Sequence, residues 1–281
     1  MRYRIGLYLV VLMLTLVWLS TALRSGPAPS GRRPLPVPVP LDVPQRPLPA
    51  AAPDDPEVTV ALGPKHSSTG SAFALRSDGV WLTARHVVDQ CGRVALMFPG
   101  RTGQRVQRIA MHPNADLAVL FTRSAPPALT LRVGGLRIGQ NGYHIGFPQG
   151  RPGQVWSTLL GRRRMRIRGR YRTNEPVVAW VERRRDPPRL AGLSGLSGGP
   201  ALSDQGEVLG VLVASSGRRG RVFTTAPRSV RQLVGTLRGG LERTTTSRQH
   251  LTPATLRTAA DRLRHDHRVV RVVCLVDSGR G

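Results

Sequence analysis

Residues 73–88 read FALRSDGVWLTARHVV: an apolar stretch, a polar turn, a second apolar stretch, and then His86. Similar short apolar or alternating runs recur on both sides of this segment, and Gly, Pro and Asp separate them at intervals typical of a β-barrel or β-sandwich. The predicted strands include Val58–Leu62, Gly70–Leu75, Val80–Thr83, Arg93–Phe98 and Leu117–Phe121. We therefore predict an all-β domain over residues 57–240.

Helical periodicity is convincing in only two places, Pro227–Leu237 and Pro253–Leu263. In the second, Thr252 suits the N-cap and Pro253 the first helical position. The next segment, Arg268–Val276, reads as a strand that is too apolar to hang free and too short to fold alone. Residues 241–281 are therefore predicted to form a helix–strand extension packed on the main domain.

The first 56 residues have a different composition from the rest of the chain. Ile5–Leu23 contains no charge in 19 residues, long enough as a helix to cross a hydrocarbon core of about 30 Å. We predict that residues 1–24 form a transmembrane anchor; a signal peptide is the alternative, because Ser20–Ala22 offers a small-residue cleavage site. The basic N-terminus would stay in the cytoplasm, which places everything downstream outside it. Residues 25–56 are predicted to be a Pro-rich linker.

The composition excludes several classes of protein. Hydrophobic residues make up 40 % of the chain, enough for a core, which excludes wholesale disorder. Two Cys exclude a disulfide-rich scaffold and a Cys-based zinc cluster. The His residues show no metal-ligand spacing supported by Cys or carboxylates. We predict neither a metal nor a cofactor.

The charge is strongly basic: 42 Lys and Arg stand against 16 Asp and Glu, a net charge of +26. Such a balance favours anionic partners, but the predicted location outside the cytoplasm argues against nucleic acid. Alternation places Arg166, Arg168, Arg170 and Arg172 on one face of a predicted strand, with Met165, Ile167 and Tyr171 on the other. That basic face is either a solvated strand surface or a docking surface for anionic lipid headgroups or an acidic substrate.

Three segments carry residues suited to nucleophilic catalysis. His86 directly follows a predicted strand, Asp116 begins another, and Ser197 lies in the loop Gly195-Leu-Ser-Gly-Gly-Pro200. A hydroxyl needs an imidazole to take its proton, and the imidazole needs a carboxylate to fix its tautomer. Small residues let the loop turn tightly, so that the N–H groups of Gly195 and Ser197 converge on a developing oxyanion. Ser194 in the same loop is read as a structural residue.

These residues, in the order His, Asp, Ser and with these neighbours, resemble the chymotrypsin-like (trypsin-like) serine proteases, and in particular the bacterial high-temperature-requirement type and related trypsin-like peptidases. The likeness extends over residues 57–240 and includes HPNADLA at 112–118, IGFPQG at 145–150 and TTAPRSV at 224–230. It implies two six-stranded antiparallel β-barrels with a C-terminal helix. It also implies a catalytic triad of His86, Asp116 and Ser197 in the cleft between the barrels.

The resemblance also bears on an activation switch, on the specificity pocket and on a disulfide. Leu196 stands where animal digestive members carry an Asp, which pairs with the N-terminus that is freed on activation. Leu196 cannot form that ion pair, so the resemblance does not extend to this activation switch. Ala191 and Gly192 lie where the floor of the specificity pocket is expected, which favours small aliphatic or other uncharged side chains over Lys or Arg. Cys91 lies close to where many members place a disulfide beside the catalytic His. Its pairing with Cys274 is one possibility, and two separate buried thiols are the other.

Two functional hypotheses follow from this reading. The first is a membrane-anchored serine endopeptidase of the bacterial inner membrane that cleaves protein or peptide substrates in the periplasm or exterior, or is secreted if the signal is cleaved. The second is a catalytically idle module with the protease fold that holds an anionic partner on its Arg-rich face.

Overall fold

The computed structural model describes residues 45–98, 100, 103–132, 134–240 and 250–276. Strands predominate, and they form two seven-stranded sheets and one two-stranded sheet within those residues. The α-helices in the same part of the chain are α1 (Arg85–Val88), α2 (Pro227–Gly235) and α3 (Leu256–His265). The prediction of a mostly β domain is confirmed.

The first large sheet is antiparallel throughout and carries the strands on either side of His86. In spatial order its strands are β6 (Gln104–Arg105), β5 (Arg93–Met97), β16 (Val269–Leu275), β3 (Ser68–Arg76), β4 (Val80–Thr83), β8 (Ala118–Phe121) and β7 (Arg108–Met111). The last strand of the chain, β16, lies between β5 and β3. It is held there by burial, because the side chains of Val269, Val270 and Val272 are fully enclosed.

The second large sheet carries the loop that contains Ser197. Its strands, in spatial order, are β10 (Asn141–Gly146), β13 (Pro200–Leu202), β14 (Val208–Ser216), β15 (Arg221–Thr225), β12 (Thr173–Asp186), β11 (Gly153–Gly169) and β2 (Glu57–Leu62). β10 also pairs with β11, so that six of these strands form a closed ring of pairings. The two-stranded sheet joins β1 (Arg46–Pro47) to β9 (Arg137–Ile138).

The predicted pair of six-stranded barrels is not confirmed, since each large sheet has seven strands. In the second sheet the extra strand is β2, and the reason is the length of β11. β11 has 17 residues, but β10 pairs only with Gly153–Thr158. On the same strand, residues Arg164–Gly169 pair in parallel with β2. This pairing supplies hydrogen-bond partners to backbone groups of β11 that would otherwise have none at the sheet edge. In the first sheet the extra strand is β16.

The C-terminal helix begins later than predicted. α3 starts at Leu256, three residues after Pro253. The N-cap position is Thr255 and not Thr252. Thr252 still makes the contacts of a capping box, because its backbone N–H donates to Thr255 Oγ1 (2.9 Å) and the backbone N–H of Thr255 donates to Thr252 Oγ1 (3.1 Å). This reciprocal pair closes a turn ahead of the helix.

The described residues include no helix that is both long enough and apolar enough to cross a bilayer. The predicted anchor, residues 1–24, and residues 25–44 of the predicted linker lie outside the described residues.

Candidate active site

His86 and Asp116 meet where two strands of the first sheet end. His86 lies in α1, directly after β4, and Asp116 lies just ahead of β8, which pairs with β4. His86 Nδ1 is 2.7 Å from Asp116 Oδ2, and the backbone N–H of His86 donates to Asp116 Oδ1 at 2.8 Å. A carboxylate at Nδ1 selects the tautomer protonated there, which leaves Nε2 able to accept a proton.

Asp116 is held by two further groups from the β11–β12 hairpin, one at its carboxylate and one at its backbone N–H. The Tyr171 hydroxyl donates to Asp116 Oδ1 at 2.8 Å, and the backbone N–H of Asp116 donates to Glu175 Oε1 at 2.6 Å. Burial raises the pKa of Asp116, but the charge and hydrogen bonds of His86, with the Tyr171 hydroxyl, outweigh burial and lower that pKa below its ordinary value. Asp116 is therefore charged at neutral pH.

Glu175 is the second buried carboxyl group beside Asp116. Burial, reinforced by repulsion from Asp116, raises the pKa of Glu175 well above its ordinary value. Two adjacent buried carboxyl groups do not both ionise readily. Burial and this repulsion therefore favour the charge on Asp116 over a charge on Glu175.

The backbone of His86 is held by two cations. Lys65 Nζ donates to the carbonyl oxygens of His86 and Val87, both at 2.9 Å. Arg170 donates to the same His86 carbonyl at 3.3 Å and forms an ion pair with Asp89 at 3.6 Å. Burial, with repulsion from Arg170, lowers the pKa of Lys65 to about 8. Positive groups suit this position because the carbonyls at the end of a helix are unpaired and carry partial negative charge.

The loop of Ser197 packs against β3 and against the residue that follows β4. The Ser71 N–H donates to the Ser197 carbonyl oxygen at 2.8 Å, and the Ser71 hydroxyl donates to the Gly195 carbonyl oxygen at 2.8 Å. At Gly198, where φ is +86°, a Cβ atom would lie 2.1 Å from Ser71 O and 3.0 Å from Ala84 N. Only glycine permits this approach. The loop therefore contacts the backbone at Ala84, two residues before His86 in the sequence. No hydrogen bond joins the Ser197 hydroxyl to His86 among the described residues; such bonds often tighten only when substrate binds.

The two N–H groups predicted to bind the oxyanion, those of Gly195 and Ser197, are not engaged in other hydrogen bonds in the described part of the chain. The Ser194 carbonyl oxygen accepts a hydrogen bond from the Gln149 N–H. Because a trans peptide directs its C=O and N–H to opposite sides, this contact turns the Gly195 N–H away from Gln149.

The other predicted site residues lie around this centre. Ala191 is exposed and Gly192 is half-buried in the loop after β12. Arg185 donates to the Ala191 carbonyl oxygen at 3.5 Å. Among the described segments, neither Ala191 nor Gly192 forms a hydrogen bond with the three candidate catalytic residues.

Cys91 and Cys274 form a disulfide, with 5.5 Å between their Cα atoms. It joins the segment after α1 to β16. No group of three or more His, Cys, Asp or Glu side chains is placed to hold a metal ion within the described segments.

The predicted Arg-rich face requires one correction. Met165, Ile167 and Tyr171 are buried as predicted. Arg168 and Arg172 are exposed, but the Arg170 side chain is only 10 % exposed and lies against Asp89. The prediction of four arginines on one face was wrong at Arg170, because β11 ends at Gly169, where φ is +110° and the alternation stops.

Sequence reasoning missed the residues that support the site. Tyr171 is hidden inside an Arg-rich run, and Ser71 has no feature that distinguishes it from any other strand serine. Two signals were available. Lys65 is the only Lys in a chain of 281 residues, and Glu175 is an isolated acid in a strongly basic chain.

A family model for the trypsin-like peptidase domain matches residues 70–211. The chain belongs to this family. The matched segment contains His86, Asp116 and Ser197, so the residues brought near each other in the structure lie in the trypsin-like peptidase domain itself.

The curated relatives that match this domain have the word periplasmic in their names. The chain is 29 % identical over 147 residues to a probable periplasmic serine endoprotease DegP-like from Pseudomonas fulva, covering 51 % of this chain and 28 % of the relative. It is 30 % identical over 152 residues to the protein of that name from Hahella chejuensis, covering 53 % and 30 %. The chain thus spans less than a third of the length of these relatives.

Solved structures show the same fold. The active form of the Rv3671c protease from Mycobacterium tuberculosis superposes with a TM-score of 0.50 at 16 % identity, covering 72 % of this chain and 97 % of that one. The trypsin-like protease fold is therefore shown for the part of the chain that the structure describes.

Proposed function

We propose that this chain is a serine endopeptidase, with Ser197 as nucleophile, His86 as general base and then acid, and Asp116 as the residue that orients His86. The observation that carries the proposal is the two-point contact between His86 and the buried, charged Asp116. A second support is that the Gly195 and Ser197 N–H groups have no hydrogen-bond acceptor among the described residues, which suits them to bind an oxyanion.

In the proposed reaction, Ser197 Oγ attacks the scissile carbonyl carbon and its proton passes to His86 Nε2. The carbonyl oxygen becomes an oxyanion and accepts hydrogen bonds from the Gly195 and Ser197 N–H groups. His86 Nε2 then gives its proton to the leaving amine as the C–N bond breaks, which leaves an acyl ester on Ser197. Water attacks the carbonyl carbon of that ester and gives a proton to Nε2. The bond between this carbon and Ser197 Oγ then breaks, which releases the carboxylic acid product, and transfer of the proton from Nε2 to Oγ restores the hydroxyl.

The substrates are proposed to be proteins or peptides bound in a cleft between two barrel-like sheets. Ala191 and Gly192 are assigned to the floor of the specificity pocket. Without a carboxylate at those positions, small aliphatic or other uncharged side chains are the expected preference. Profiling of cleavage sites with a peptide library tests this assignment.

We place the enzyme outside the cytoplasm, held by residues 1–24 in the bacterial inner membrane. The support is the uncharged run Ile5–Leu23 together with the periplasmic names of the relatives. The full chain should fractionate with membranes and resist extraction by salt, whereas residues 57–281 should be soluble. A mature N-terminus at Leu23 would instead identify a secreted enzyme.

The catalytic assignment is tested by three variants. Ser197→Ala and His86→Ala should each lower kcat/KM by about three orders of magnitude or more, since members of a triad act as a unit. Ser194→Ala is the matched control: the side chain is exposed, the same loop is altered, and most activity should remain. A fluorophosphonate probe should label Ser197 and no other serine. Refusal of the probe by folded protein would support the non-catalytic binding module.

A further inference from the structure

A cavity of about 790 Å³ opens at the end of the β11–β12 hairpin. Its lining includes Arg166, Arg168 and Arg172 from the hairpin, and Asn114 from the segment that carries Asp116. The cavity is therefore basic, and one of its walls lies two residues from Asp116.

The positive charge of this cavity is only partly neutralised. Arg166 forms an ion pair with Glu57 at 2.9 Å. Arg168 and Arg172 are both exposed, and neither forms an ion pair within the described residues. Two guanidinium groups that face one cavity repel each other, and an anion between them removes that repulsion. Guanidinium groups also match the geometry of a carboxylate, which accepts paired N–H donors.

A buried hydroxyl in the cavity wall also lacks a partner. Thr173 lines the cavity and is 7 % exposed. Its Oγ1 is buried and has no hydrogen-bond partner among the described residues. A buried polar group without a partner is costly in a folded protein. A ligand oxygen that accepts a hydrogen bond from this hydroxyl would remove the cost.

The cavity is connected to the catalytic residues through adjacent positions in the chain. Asn114 is two residues before Asp116. On the hairpin, Tyr171 lies between Arg170 and Arg172 and donates its hydroxyl hydrogen bond to Asp116. The cavity therefore lies on the Asp116 side of the candidate catalytic residues.

We propose that this cavity binds an acidic side chain of the polypeptide substrate, with Arg168, Arg172 and Thr173 as its ligands. The inference rests on the proposed function and specifies its substrate class: chains with Asp or Glu near the scissile bond. A lipid headgroup would suit the same charges, but the concave site beside Asp116 favours an extended peptide over a membrane surface.

The first test compares matched internally quenched peptides that carry Glu or Gln at each position flanking the scissile bond. At one position the full-length protein should cleave the Glu peptide with the higher kcat/KM. The double variant Arg168→Gln/Arg172→Gln should lower the Glu-to-Gln ratio by about tenfold, as expected for loss of a charge-assisted hydrogen bond. The control, Arg218→Gln/Arg219→Gln, removes the same charge from an exposed turn and should leave the ratio unchanged. Equal ratios in all three proteins, or an equal loss in the control, would overturn the proposal.

The second test does not require catalysis. In a Ser197→Ala background, fluorescence anisotropy should show tighter binding of the labelled Glu peptide than of the Gln peptide, and Thr173→Val should reduce that difference while the protein remains folded. If the protein with Ser197 cleaves no peptide, the proposed function fails and this measurement alone judges the cavity. Binding to phosphatidylglycerol vesicles that depends on Arg168 and Arg172, with no difference between the two peptides, would assign the cavity to lipid and overturn the proposal.

Discussion

Replacing Tyr171 by Phe isolates the contribution of one hydroxyl group to the candidate catalytic centre. Tyr171 is 8 % exposed, and its hydroxyl donates to Asp116 Oδ1 at 2.8 Å. Phe keeps the ring that lies 4.0 Å from the Arg85 guanidinium, so that packing is preserved. A hydrogen bond to a charged group contributes about 1.5–3 kcal/mol. We expect the free energy of unfolding to fall by about that amount at neutral pH.

The same variant should affect activity through the position of Asp116. Without the Tyr171 hydroxyl, the pKa of Asp116 rises toward its ordinary value and the carboxylate stays charged, but it loses a contact that fixes its orientation against His86. If about half of the lost free energy appears in the transition state, kcat/KM falls by about four- to twelvefold. The assay is cleavage of an internally quenched peptide, with urea unfolding measured on the same preparations.

The matched control is Tyr143→Phe. Tyr143 is also fully buried, and its hydroxyl donates to the carboxylate of Asp204 at 3.0 Å. It differs from Tyr171 in having no contact with the candidate triad among the described residues. Both variants should lose comparable stability, but only Tyr171→Phe should lose activity. Equal kcat/KM in the two variants would refute the view that Tyr171 acts through Asp116.

Two further predictions concern stability. Burial lowers the pKa of His144 to about 3, so below its ordinary value of 6.5 the unfolded chain takes up a proton that the folded chain does not. His144 should therefore lower the free energy of unfolding by up to about 1.4 kcal/mol per pH unit as pH falls from 6.5 toward 3. Between pH 7 and pH 4.5, urea unfolding should show a smaller change in this free energy for His144→Gln than for the protein that keeps His144. The Cys91–Cys274 disulfide spans 183 residues, and loop-closure entropy gives it an upper stabilisation of about 5 kcal/mol. Reductant should lower the Tm of the native chain but not of the double Ser variant, and a Tm insensitive to reductant would contradict this.

The sequence by itself was sufficient for features that depend on neighbouring residues. Alternating apolar runs predict the strands on either side of His86, because burial on one face of a sheet imposes a period of two. The same local order predicts the tight glycine loop before and after Ser197. His86, Asp116 and Ser197 are proposed as a triad from their order and their neighbours, which resemble those of trypsin-like serine proteases; the position of each residue beside a strand is a weak signal on its own.

Only the tertiary structure determined which distant segments meet. Tyr171 and Glu175 contact Asp116 across 55 and 59 residues, and β16 lies between β5 and β3 although nearly the whole domain separates it from them in sequence. Local periodicity carries no information on such pairings. They are decided by which strand edges remain open and by which apolar faces need cover. The register of Arg170 shows the same limit: alternation predicts its face only while the strand continues, and β11 ends at Gly169. There φ is +110°, and the chain lies so close to β2 that a Cβ atom would be 2.0 Å from the Leu62 carbonyl oxygen.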